Sequence, residues 1–84
     1  MKKSILITGC SSGIGLNAAL TLSARGYHVF ATARNEADVK YLQSKDLSAY
    51  YLDLTNSDSI EHTVNVILKE TGGTLDYLFN NGAY

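Results

Sequence analysis

The sequence has no proline and no tryptophan, and its only cysteine is Cys10. One cysteine excludes an internal disulfide framework and a thiolate zinc cluster. His28 and His62 stand far apart, without the spacing of paired metal ligands, and read as solvated or core side chains. No apolar run approaches the roughly 20 residues that a membrane-spanning helix requires. The basic-then-apolar start, Met-Lys-Lys-Ser-Ile-Leu, has the outline of a secretion signal. Its apolar stretch stops at Thr8-Gly9, however, short of the ~7–15 residues such a region needs. Charge is nearly balanced, and a formal −1 gives no electrostatic reason to expect nucleic acid or an acidic membrane as partner. A reducing, cytoplasmic setting is the expectation.

What is present is a repeated alternation. In a chain of 84 residues, room exists for one domain, and one this small is marginally stable alone. Four short apolar runs, at residues 4–8, 28–33, 49–52 and 75–79, are nearly continuous in hydrophobicity, as in parallel strands covered on both faces. Three amphipathic stretches separate them. The first spans about 13–25 and ends at Gly26, a residue suited to a left-handed cap. The second follows Asn35 as N-cap, turns Val39 and Leu42 inward and ends near Lys45. The third has Thr55 as its expected N-cap, with Asp58 at capping-box spacing, and Gly72-Gly73 stops it. Its Ile60, Val64, Ile67 and Leu68 form the expected core-facing stripe. The pattern predicts a Rossmann-like α/β half-fold of four strands and three helices in alternation, with parallel strand order 3-2-1-4 from right-handed crossovers.

The segment Thr8-Gly9-Cys10-Ser11-Ser12-Gly13-Ile14-Gly15 follows a predicted strand and opens a predicted helix, which is where a phosphate-binding glycine motif belongs. Gly9 permits the tight turn, Gly13 lets a pyrophosphate approach the backbone, and Gly15 allows close helix–strand packing. The second helix opens with Glu36 and Asp38, and the third with Asp58 and Glu61. The first turn of the first helix, Ile14-Gly15-Leu16-Asn17, carries no carboxylate. A bound phosphate would supply the missing negative charge at that helix N-terminus.

The motif Thr-Gly-x-x-x-Gly-Ile-Gly resembles the cofactor loop of the short-chain dehydrogenase/reductase family. Residues 7–16 are especially similar to its hydroxysteroid and retinol dehydrogenase branch. The resemblance extends over the whole chain. Asp53-Leu54 matches the family's pair at the end of the third strand, where the acid accepts a hydrogen bond from the adenine amino group. Asn80-Asn81-Gly82-Ala83 corresponds to the family's Asn-Asn-Ala-Gly segment with its last two residues transposed. The resemblance implies that Asn81 and Gly82 lie along the adenosine ribose.

A dinucleotide fold preferring NAD carries Asp or Glu at the end of its second strand. Ala33-Arg34 stands there instead, and a guanidinium can pair bidentately with the 2′-phosphate of NADP(H). Ser11 and Ser12 offer further hydroxyl donors. The expected cofactor-binding set is therefore Gly9, Ser11, Ser12, Gly13, Ile14, Gly15, Arg34, Asp53, Leu54, Asn81 and Gly82, with NADP(H) favoured over NAD(H). No base accompanies Cys10 to make it a nucleophile. Tyr50, Tyr51, Tyr77 and Tyr84 read as packing or edge residues.

The family's chemistry belongs to a Ser and a Tyr-x-x-x-Lys segment helped by a further Asn. Tyr41 and Lys45 have that spacing but fall on the second helix, at the adenine side, so the catalytic set is expected to be empty. The leading expectation is the NADP(H)-binding half-domain, residues 1–84, of a short-chain oxidoreductase acting on a carbonyl or alcohol, truncated before its catalytic segment. The competing reading is a non-catalytic nucleotide-binding or interaction module complete at this length. A methyltransferase of the same fold is weakened by the lack of an acid after the second strand. The last strand, 75–79, is an open apolar edge with one charge, and self-association or a covering partner is expected there.

Overall fold

The structure, a computed structural model, describes residues 2–10 and 13–81. Its elements run β1 Ser4–Ile7, α1 Gly13–Ala24, β2 His28–Ala33, α2 Glu36–Gln43, β3 Ser48–Tyr51, α3 Ser57–Thr71 and β4 Tyr77–Phe79. The four strands form one parallel sheet in the order β3-β2-β1-β4, as the alternation of runs predicts. Among the described residues no helix is long and apolar enough to cross a membrane.

Successive strand residues point to opposite faces. Ile5, Ile7, Val29, Ala31, Ala33 and Ala49 meet Ala19 of α1 and Val39 and Leu42 of α2 on one face. Leu6 and Phe30 meet Ile67 of α3 on the other, a smaller cluster. The second face thins toward β4: Leu78, in register with Leu6, is 63% exposed. On the α1 side Tyr77 is also exposed, its ring edge-on to Tyr27.

Three features of α3 and β4 differ from the sequence reading for identifiable reasons. The N-cap of α3 is Asn56 and not Thr55, because the Asn56 side chain accepts from the Asp58 and Ser59 N–H groups. Thr55 is engaged elsewhere, donating its N–H and hydroxyl to Asp53. Within the expected stripe of α3 only Ile67 is buried, and Thr63 takes the other inner position, donating its hydroxyl to the Tyr51 carbonyl. Strand β4 begins two residues late because Asp76 is used sideways. Its carboxylate accepts the Ser4 N–H at 2.8 Å and the Ser4 hydroxyl at 3.2 Å, while its own N–H donates to Ser4 Oγ at 3.1 Å.

This clasp fastens the start of β4 to the start of β1. The Ser4 N–H, helped by the Ser4 hydroxyl and the Lys3 charge, holds the Asp76 carboxyl below the usual carboxylate range. The folded-state carboxyl is the stronger acid, so its contribution is complete above the unfolded-state value of about 3.9. It is lost as pH falls through the depressed folded value. Asp76→Asn should therefore cost stability near neutrality and progressively less below about pH 4. Urea-unfolding midpoints of both proteins across that range test this, and a gap independent of pH would show that the charge is not what the clasp uses.

Candidate functional site

Three loops converge at the C-terminal edge of the sheet: the turn after β1, the turn after β2 and the segment after β4. Thr32 of β2 shapes the first of them. It donates its hydroxyl to the Ile7 carbonyl at 3.1 Å, and its own carbonyl accepts the Cys10 N–H at 2.9 Å. Thr8 ties the same loop to the end of β4. Its hydroxyl donates to Asn80 Oδ1 at 3.1 Å and accepts the Asn81 N–H at 2.9 Å, while its N–H donates to the Phe79 carbonyl. Asn81 Nδ2 then donates to the Gly9 carbonyl at 3.2 Å.

Gly13 and Gly15 differ in what they permit. Gly13 begins α1 with φ +63°, a left-handed conformation that disfavours any side chain, and the space where its Cβ would lie is open. At Gly15 the space is taken: a Cβ would sit 2.4 Å from the Gly9 oxygen and 2.7 Å from Asn81 Nδ2. One glycine leaves room in front of the helix and the other lets the helix approach. The first turn of α1 carries no acidic residue, whereas Glu36 and Asp38 open α2 and Asp58 opens α3. Ile14, at the mouth of the loop, is 71% exposed. An apolar side chain beside a helix start whose first turn has no acid suits a ligand with both an anionic group and an apolar ring.

Arg34 follows the buried Ala33 at the end of β2 and is exposed. Its charge acts on Asp53, two residues past β3, whose carboxyl is held low chiefly by the Thr55 hydroxyl and N–H. Leu54 lies beside it, half-buried. Gly9, Gly13, Ile14, Gly15 and Asn81 thus gather around one loop, and Arg34, Asp53 and Leu54 lie along the neighbouring strand ends. Ser11, Ser12 and Gly82 lie outside the described residues. Sequence reasoning passed over the hydroxyls of Thr8 and Thr32, although both sit at the end of apolar strands, a position where a buried hydroxyl must find a partner.

Cys10 is fully buried, its thiol donating to the Ile7 carbonyl, and burial pushes it up to about 11, partly offset by a backbone hydrogen bond to Thr32. The helix N-terminus does not make it reactive. Tyr41 is 46% exposed on α2 with the Lys45 ammonium 5.4 Å from its ring centre, so the pair with catalytic spacing is an outward cation–π contact. Among the described residues no three His, Cys, Asp or Glu side chains gather as a metal site.

Comparison with known proteins bears on the family and the fold. The family model for short chain dehydrogenase matches residues 3–84. Short-chain dehydrogenase PC-15 of Penicillium crustosum is 48% identical over 82 residues, covering 95% of this chain and 30% of that protein. The NADPH-dependent 1-acyldihydroxyacetone phosphate reductase of Schizosaccharomyces pombe is 41% identical over 81 residues, covering 95% and 27%. A crystal structure of an actinorhodin polyketide ketoreductase variant with NADPH superposes with a TM-score of 0.83 at 32% identity, covering 99% of this chain and 34% of that one. The chain therefore spans about a third or less of each relative's length.

The contact at Gly15 yields a direct test. Gly15→Ala should lower unfolding stability by about 1–3 kcal/mol, since backbone and a bonded amide must move to admit the methyl. Urea denaturation measures it, and a loss under about 0.5 kcal/mol would mean that the loop yields freely.

Proposed function

The chain belongs to the short-chain dehydrogenase/reductase family, and from that premise we propose that it binds NADP(H) as the dinucleotide half of an oxidoreductase acting on a carbonyl or alcohol. The observation that carries this reading is the pairing of an acid-free α1 N-terminus behind an open Gly13 with Arg34 at the end of β2. The pyrophosphate would lie against Gly9, Gly13 and the first turn of α1, with Ile14 covering an apolar part of the cofactor. Arg34 would pair with the 2′-phosphate, with Ser11 and Ser12 as further donors, and Asp53, Leu54, Asn81 and Gly82 would line the adenosine. The yeast reductase is named as NADPH-dependent and the ketoreductase crystal structure is with NADPH, which supports the same preference here. When bound, the nicotinamide supplies or takes the hydride. Proton transfer is not assigned to Tyr41 and Lys45, whose cation–π contact is exposed to solvent. A reducing, cytoplasmic setting fits a chain whose one thiol is buried.

The two edges of the sheet differ. On β3 the Ala49 carbonyl accepts from Gln43 Nε2 and the Tyr51 carbonyl accepts from Thr63 Oγ1, so side chains of α2 and α3 close that edge. On β4 the one charge of residues 75–79 is drawn back onto Ser4, and Tyr77 and Leu78 are exposed. We read β4 as the edge that a second copy or another partner covers.

Calorimetric titration should find NADP(H) bound more tightly than NAD(H). Arg34→Ala should weaken NADP(H) about tenfold to a hundredfold, the worth of one charge-assisted contact, and leave NAD(H) nearly unchanged. Ala33→Asp should move preference toward NAD(H), and rising salt should shrink the Arg34 effect. Equal loss of both cofactors in Arg34→Ala would mean that Arg34 supports the fold and reads no phosphate. For the open edge, light scattering across a concentration series should give a mass above the monomer that Leu78→Lys reduces. A wild-type monomer at every concentration would refute self-association.

A further inference from the structure

We propose that Asn81-Gly82 is a self-modification site: the Gly82 amide nitrogen displaces ammonia from the Asn81 side chain, and hydrolysis leaves a carboxylate where an amide now ties the exit of β4 to the glycine turn. It does not depend on the dinucleotide reading above. The chain has six asparagines, and Asn81 is the one followed by glycine. Glycine lacks the Cβ that shields the amide nitrogen of other residues, and its backbone reaches conformations that bring this nitrogen toward the preceding side chain. Gly82 lies outside the described residues, and its identity alone gives this reactivity. Asn56 and Asn80, followed by Ser57 and Asn81, are internal comparisons.

The step needs no reagent but water. The Gly82 nitrogen bonds to Asn81 Cγ and gives up its proton as the Cγ–Nδ2 bond breaks, so ammonia leaves and a cyclic imide remains. Water opens the imide at either carbonyl, giving an aspartyl or an isoaspartyl residue with a carboxylate in place of the amide. The fold decides what that costs. Asn81 Nδ2 donates to the Gly9 carbonyl at 3.2 Å and fills the space over Gly15, while the Asn81 N–H donates to Thr8 Oγ1 at 2.9 Å. An ionised carboxylate has no hydrogen to donate. It would set a charged acceptor against the Gly9 carbonyl, which loses its donor. The isoaspartyl form also adds a main-chain carbon, just after the N–H that Thr8 holds.

The test incubates the 84-residue chain in mildly alkaline buffer under folding conditions and follows each asparagine by peptide mapping, with an isoaspartyl methyltransferase to mark the rearranged product. Asn81 should convert first, gaining the mass difference between OH and NH2, while Asn56 and Asn80 remain amides. Gly82→Ala combined with Ala83→Gly, which gives the order Asn-Asn-Ala-Gly, should slow the conversion severalfold. Conversion of Asn56 or Asn80 ahead of Asn81, an unreactive Asn81, or a rate unchanged in the double variant would overturn the proposal. The cost is read on the converted wild-type protein, separated by anion exchange on its added negative charge. Its urea midpoint should fall below that of the unconverted protein, and Asn81→Asp should reproduce the aspartyl share of that fall. A converted chain without any folding transition counts as the same loss. Equal midpoints before and after conversion would overturn the claim that the modification breaks the tie to Gly9.

Discussion

A carbonyl oxygen at Gly9 and an amide nitrogen at Asn81 occupy the place where a Cβ on residue 15 would have to go. That contact brings three parts of the chain within one van der Waals layer: the turn leaving β1, the first turn of α1 and the segment leaving β4. It fixes where the helix points, because a helix held off by even one methyl would direct its N–H groups past the turn. It also explains why hydroxyls are placed beneath it. Thr8 and Thr32 bond to backbone at the strand ends, so the peptide groups of an otherwise exposed loop are held before any ligand arrives. Such preorganisation lowers the ordering cost of binding.

Charge is arranged on the same plan. Helices α2 and α3 neutralise their N-termini with their own carboxylates, and Asn35 and Asn56 cap them. Helix α1 has no such acid in its first turn, and the cation of Arg34 lies along the neighbouring strand end. Asp53, on whose carboxyl that charge acts, is engaged by Thr55. The edge of the sheet therefore presents a helix start without an acid at α1 and a carboxylate just after β3.

Strand order and the glycine loop were legible from sequence because both rest on strong local signals. Apolar runs of strand length separated by amphipathic stretches leave few topologies, and glycines between a strand and a helix have one well-understood use. The start of α3 was not legible. Thr55 and Asn56 are both competent caps, and the choice between them is made by the Asp53 carboxylate, which takes Thr55 first. The length of β4 was hidden for a similar reason. Leu75-Asp76 has the hydropathy of a strand entrance, but the Asp76 carboxylate bonds Ser4 across the sheet instead of extending the ladder. In the inner stripe of α3, a threonine that satisfies its hydroxyl on the Tyr51 carbonyl fills a place that hydrophobicity alone would give to Val64.

The single thiol of the chain lies at the base of the glycine loop, fully covered and bonded to the Ile7 carbonyl. A water-soluble alkylating reagent reaches Cys10 only during moments when the loop lifts from β1 and β2, and burial keeps the thiol protonated at all other times. Its modification rate therefore counts loop openings and says little about the thiol. The protein carries, in its native sequence, a built-in gauge of how often its glycine turn comes undone.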